Sequence, residues 1–169
     1  LMLILGGIIL DKMGVRFTGI MSTSIMVIGT AIKFWAVSTN SLDGQTLLGM
    51  KAQVVVAGLG FAIFGVGVET TGITVSKIIV KWFKGKEMAL AMGLEMATAR
   101  IGTTLAMVTS VPIARALGDV SKPILVCLIM LCIGMIAFIV YTVMDKKLDK
   151  SIADELERTK SAESAEAFN

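Results

Sequence analysis

From Pro123 to Met144 the chain runs for twenty-two residues without a charged side chain. A helix needs about 20 apolar residues to cross the hydrocarbon of a bilayer. A surface helix of a soluble domain keeps only one stripe apolar. Other runs approach this one: Thr18 to Ser38, broken by Lys33; Ala52 to Val80, holding Glu69 and Lys77; and Met88 to Ile113, holding Glu95 and Arg100. Barrel strands would alternate apolar and polar residues over about ten positions, and these runs do not. The composition agrees: 55% of the 169 residues are hydrophobic, 17% are charged, and the mean hydropathy is +0.83. Soluble domains carry roughly 25% charged residues.

These runs predict an all-α membrane protein. The boundaries expected from sequence are a partial helix over residues 1–10 and full transmembrane helices over 18–38, 52–80, 88–113 and 123–144. A cytoplasmic tail over 145–169 completes the chain. The opening LMLILGGIIL has neither a basic segment before it nor a small-residue cleavage site after it, so it reads as a helix entered partway, not as a signal peptide. The chain is therefore expected to be part of a longer protein. Thr39 to Lys51, with Asn40, Asp43 and Gly44, reads as a loop. Pro123 suits the first turn of the helix it opens.

Lys and Arg in short loops set orientation. Lys12, Arg16, Lys77, Lys81, Lys84, Lys86, Lys146, Lys147 and Lys150 fall on one side, against Lys51, Arg115 and Lys122 on the other. The expected cytoplasmic elements are thus the DKMGVR turn, the KWFKGKE turn and the tail. In the tail, Leu148, Ile152 and Leu156 recur at helical spacing, which outlines an amphipathic helix. Its lysines suit anionic headgroups, but a solvated linker helix is the preferred reading. SAESAEAFN, after Lys160, reads as frayed.

Histidine is absent and there are two cysteines, Cys127 and Cys132. Ser-His-Asp catalysis, Cys-His catalysis and His-ligated metals are excluded, and no cofactor is expected. The twelve methionines have no thiol or imidazole cluster with them and read as packing residues. The net charge of +3 is spread over membrane-flanking turns, so nucleic acid is not an expected partner. Trp35 and Trp82 lie near span ends, where amphipathic rings anchor.

The segment Gly7-Ile8-Ile9-Leu10-Asp11-Lys12-Met13-Gly14-Val15-Arg16 reads as a tight turn in which Gly14 can adopt positive φ. Its pattern, G-x-x-x-D-K-x-G-x-R between two spans, resembles the cytoplasmic signature of major facilitator superfamily transporters. The matching positions are Gly7, Asp11, Lys12, Gly14 and Arg16; Val15 departs from the usual basic residue. Phe64 to Glu69 (FGVGVE), Lys81 to Glu87 (KWFKGKE) and Ala99 to Gly102 (ARIG) resemble the branch that includes lysosomal dipeptide carriers and bacterial relatives.

The resemblance implies a fragment of a helical bundle: four full transmembrane helices, one partial helix and the start of the linker between two halves. It implies that Gly7, Asp11, Lys12, Gly14 and Arg16 act in gating. The expected location is a bacterial cytoplasmic membrane, and the expected partners are the lipid bilayer, a small-molecule substrate and the carrier's remaining helices. Where the family has an arginine four residues before Gly65, this chain has Phe61, which fits a carrier without that proton-coupling device.

Glu69 and Arg100 stand out without any resemblance. A charge at that depth costs about 2.5–3.5 kcal/mol on insertion scales, so it marks a pathway or a pair. Counted from their shared turn, Glu69 lies about 18 Å deep and Arg100 about 19.5 Å, both near the midplane. They could take the ammonium and the carboxylate of a zwitterion, with Thr104 and Ser76 at helical neighbour positions. The alternative is that they pair with each other and lock two helices; the site reading is preferred. Glu95 is a possible coupling carboxylate, with a structural pair to Lys77 the preferred reading. Lys33, five residues from the end of its span, is expected to snorkel outward; a cavity-facing role is the alternative. Gly58, Gly60, Gly65, Gly67, Gly93, Ala97 and Gly102 are expected to serve close helix packing.

Three functions compete at this point. One is a secondary active or facilitative carrier of dipeptides or amino acids working by alternating access. The second is a carrier of organic or inorganic anions. The third is a membrane scaffold that binds through its tail. An enzyme is not expected.

Overall fold

The computed structural model describes residues 2–39, 46–47, 50–83 and 85–166. Helix α1 spans Met2–Ser38, strands β1 and β2 are Thr46–Leu47 and Met50–Lys51, and three helices follow: α2 Ala52–Trp82, α3 Lys86–Leu117 and α4 Ser121–Glu166. Asn40, Asp43 and Gly44 of the expected loop, and Lys84 of the KWFKGKE turn, lie outside the described residues. The strands pair antiparallel, Thr46 with Lys51 and Leu47 with Met50, so the expected loop contains a two-residue ladder.

The DKMGVR turn is tighter than its sequence suggests. Asp11 to Met13 and Val15 to Arg16 are helical, and only Gly14 departs, at φ 79° and ψ 164°. That region is nearly closed to side chains and costs them about 1–3 kcal/mol. The Thr18 hydroxyl donates to the Gly14 carbonyl at 2.9 Å, across the first turn of the helix that follows the break. Gly85 and Gly118 also hold positive φ, at the α2–α3 and α3–α4 junctions.

Helix α2 ends two residues past its expected limit. Helix α3 outruns its limit by four, because Pro112 does not stop it. Proline removes one donor, which membrane helices tolerate when side chains re-satisfy the freed groups. The carbonyl that loses its donor is that of Val108, and in the turn before it the Thr109 and Ser110 hydroxyls donate to the carbonyls of Leu105 and Ala106. Gly118, in the left-handed conformation, is what ends α3. Asp119 then closes the turn into α4: its carboxylate accepts the Ser121 backbone N–H at 3.1 Å and the Ser121 hydroxyl at 2.5 Å. These two bonds hold the Asp119 carboxyl below its ordinary range.

The tail is not frayed after Lys160, because α4 continues to Glu166. Ala, Glu, Lys and Ser carry a helix forward when no Gly or Pro interrupts it. Three helical stretches are long and apolar enough to cross a membrane: Gly6–Ser38, Ala52–Trp82 and Ser121–Arg158. Four full spans were expected. Helix α3 is as long, but Glu95, Arg100 and Arg115 among Gly, Ser and Thr dilute its apolar character. An integral membrane helical protein is the architecture these elements support.

The chain divides into two compact units, residues 1–135 and 136–169. In the first, α1 and α2 pack along most of their length. Their seam is made of small residues and hydroxyls. Thr18, Ser22 and Thr30 of α1 and Thr70 and Thr74 of α2 are buried. Most of these hydroxyls satisfy themselves on their own helix, as Thr30 does on Met26 and Thr74 on Thr70. Thr71 reaches across to the Ser22 hydroxyl at 3.0 Å. Such a bond within a membrane contributes about 0.6 kcal/mol on average, so the seam relies on close approach more than on polarity. In the second unit, Asp145 is buried and accepts the Tyr141 hydroxyl at 3.3 Å.

Candidate functional site

Helix α2 has two working faces. Gly60, Gly67 and Thr74 recur every seventh residue and lie against α1. Phe61, Gly65, Glu69, Gly72 and Ser76 recur at four, four, three and four, and share another face. At about 100° per residue the centres of these faces are roughly 160° apart. Glu69 therefore points away from α1, and it is exposed.

Helix α3 buries none of its described residues. Its half-covered positions near the start are Met88, Ala91, Met92 and Glu95, on the turns that follow the junction from α2. Arg100 lies beyond them and is exposed. No ion pair joins Glu69 to Arg100 among the described residues. The Thr104 hydroxyl donates to the Arg100 carbonyl at 2.9 Å, one turn back on its own helix.

The carboxylate nearer the KWFKGKE turn is held differently from the expected pair. Glu95 accepts the Ser76 hydroxyl at 3.3 and 3.4 Å, and this bond ties α2 to α3. Lys77 instead forms a salt bridge to Asp11 of the signature turn. Depth counting compared only the helices on either side of the KWFKGKE turn, and Asp11 belongs to α1. The bridge is open to water, with side chains 44% and 74% exposed for Lys77 and Asp11. Exposed pairs contribute about 0–1 kcal/mol. Asp11→Asn is expected to lower stability by less than about 1 kcal/mol, read by thermal unfolding of the purified full-length protein. The double exchange Asp11→Lys with Lys77→Asp is expected to restore whatever is lost.

The rest of the signature divides by exposure. Lys12 is exposed and Arg16 is half-buried. A Cβ at Gly7 would meet nothing within 4 Å, whereas one at Gly6 would lie 3.4 Å from Thr70 Oγ1. The glycine in close contact is thus Gly6, one position earlier. Among the glycines expected to pack, Gly60 and Gly67 do; Gly58, Gly65, Gly93 and Gly102 face open space, and Ala97 is exposed. Gly29 joins the close set, and its signal was its place in the helical series Ser22, Met26, Gly29, Lys33.

Long apolar helices, three of them fit to cross a membrane, define a helical membrane protein. The chain is similar to carriers. It is 32% identical over 104 residues to the lysosomal dipeptide transporter MFSD1 of Mus musculus, covering 61% of this chain and 20% of that protein. Against the Homo sapiens protein of the same name it is 30% identical over 103 residues, 60% of this chain and 20% of that one. Against the Gallus gallus protein it is 40% identical over 67 residues, 38% and 15%. The resemblance to the major facilitator branch with lysosomal dipeptide carriers therefore stands on sequence similarity as well as on motifs. The chain spans about a fifth of the length of these curated relatives. No family model matches it, and no solved structure does.

Proposed function

We propose that this chain is a membrane segment of a major-facilitator carrier that moves small zwitterionic solutes, dipeptides or amino acids, by alternating access. The observation that carries the reading is that Glu69 and Arg100, an acid and a base at one depth, are both exposed and form no ion pair with each other. Glu69 receives the solute's ammonium. Arg100 takes its carboxylate, where a planar guanidinium can engage both oxygens. Thr104 and Ser76 line the path, and Glu95 is the coupling carboxylate. Asp11, Lys12, Gly14 and Arg16, with Gly7, latch the cytoplasmic gate against the other half of the carrier. The names of the relatives, dipeptide transporters, support the solute class.

The Lys and Arg asymmetry supports an orientation with the signature turn, the KWFKGKE turn and the tail in the cytoplasm. The relatives are named as lysosomal. Our assignment to a bacterial cytoplasmic membrane is supported by the resemblance to bacterial carriers.

The test is competition for uptake by the full-length protein in liposomes. A neutral dipeptide is expected to compete with labelled dipeptide, and a simple monocarboxylate is not. Equal competition by both would favour the anion carrier, in which Arg100 alone anchors the solute. If nothing is taken up and the phenotype depends on Leu148, Ile152 and Leu156, the scaffold reading holds instead.

A further inference from the structure

Lys33 lies in an apolar stretch of α1, about 7.5 Å from the helix end at Ser38. A lysine so placed ordinarily extends toward the nearer water. This one does not. Its ammonium sits 5.0 Å from the centroid of the Phe61 ring and 5.3 Å from that of Phe64. The two rings are themselves 6.4 Å apart, so the ammonium lies against both.

The seam explains how the side chain is aimed. A Cβ at Gly60 would come within 2.9 Å of Lys33 Cγ and 3.0 Å of Lys33 N. The lysine backbone is therefore level with Gly60, and its head is level with residues one to four further along α2. That direction leads toward the Glu69 level, away from the outer end. It matches the tilt of helical side chains toward the N-terminal end of their own segment, which for the stretch after Gly14 is the signature turn. The glycine leaves a slot through which the stem crosses from the seam toward the open face.

Phe61 belongs to the same α2 face as Glu69 and is 61% exposed. From Phe64 to Glu69 the helix rises about 7.5 Å, and from Phe61 about 12 Å. No carboxylate among the described residues pairs with Lys33. Aromatic faces attract an ammonium without neutralising it. A compact point charge at this depth still calls for an anion.

We propose that Lys33, walled by Phe61 and Phe64, is a second anion subsite that receives a side-chain carboxylate of the solute, so that the carrier favours acidic dipeptides. The inference rests on the zwitterion reading of Glu69 and Arg100. The separation fits: two extended residues span about 7 Å, and an acidic side chain adds to that. The two rings flank the methylenes of such a side chain while the ammonium meets its carboxylate.

The experiment compares uptake of Ala-Glu and Ala-Ala by the full-length protein in liposomes of zwitterionic phospholipid. In Lys33→Gln the ratio of KM for Ala-Glu to KM for Ala-Ala is expected to rise about tenfold over wild type. Lys33→Arg is expected to recover most of that preference. Phe61→Leu keeps the charge and is expected to shift the ratio about threefold in the same direction, so it decides the matter if Lys33→Gln does not fold. An unchanged ratio in these variants overturns the proposal. So does an equal loss for both peptides that anionic phospholipid reverses, which would assign Lys33 to a lipid headgroup. If the wild type takes up neither peptide, the zwitterion reading itself fails. If it takes up both with a ratio indifferent to Lys33, only the subsite fails.

Discussion

Glu69→Gln is expected to reduce dipeptide uptake by the full-length carrier about 10- to 100-fold. A hydrogen bond to a charged group contributes about 1.5–3 kcal/mol, and each 1.4 kcal/mol is a factor of ten. The amide keeps the shape and an acceptor but loses the charge that an ammonium needs. Arg100→Lys is expected to cost about tenfold, because the charge survives while the two-pronged contact with a carboxylate does not. Uptake and equilibrium binding are both measured, since a group that binds solute shifts both. Normal transport by the two variants would remove Glu69 and Arg100 from the site.

The same variants separate a binding pair from a locking pair. If Glu69 and Arg100 held α2 to α3, neutralising one would strand the other in the membrane and lower the unfolding temperature. The structure shows no such bond, and α3 is tied to α2 through Ser76 and Glu95 instead. Glu69→Gln should therefore leave stability unchanged or slightly raised, since it removes an intramembrane charge. Loss of uptake with intact stability is the combined signature of a site residue.

Local signals and pairing signals were not equally legible. The extent of α2 could be read because an apolar run bounded by charged residues is a property of one segment. Gly14 as the hinge of the signature turn was legible for the same reason: one residue type suits that backbone. The partner of Lys77 was not legible, because Asp11 lies sixty-six positions away and reaches it only when α1 and α2 take their register. Lys33 misled in the same way. Its distance from the helix end argued for snorkelling, and the slot at Gly60 overrides that from another helix. The length of α4 was hidden by polarity: the tail reads as a linker in hydropathy, yet its residues are good helix formers. The depths of Glu69 and Arg100 could be counted, but which way each faced depended on packing that a rise per residue does not contain.

The α1–α2 seam carries the largest stability prediction. A Cβ at Gly29 would lie 2.6 Å from the Phe64 backbone nitrogen and 2.7 Å from the Gly60 carbonyl oxygen. Both obstacles are main chain and cannot turn aside, so even alanine must push the helices apart. Gly29→Ala and Gly60→Ala are each expected to cost about 1–3 kcal/mol, the usual range for overpacking. Gly67→Ala is expected to cost less, because its nearest obstacle at 2.6 Å is the flexible Met26 side chain, although the Ser22 carbonyl at 2.9 Å sets a limit. Gly65 is the control: nothing lies within 4 Å of its Cβ position, and alanine there should stabilise the helix by about 0.5–1 kcal/mol. Denaturation of the purified full-length protein in detergent measures all four. The double variant Gly29→Ala with Gly60→Ala should cost less than the sum of the singles, because contacting positions couple and the first separation makes room for the second methyl. An additive result would mean the two glycines do not face each other. Separation at this point also lengthens the path from Lys33 to the Phe61 ring. The seam variants should then weaken any preference for acidic dipeptides, even though Gly29 touches no solute.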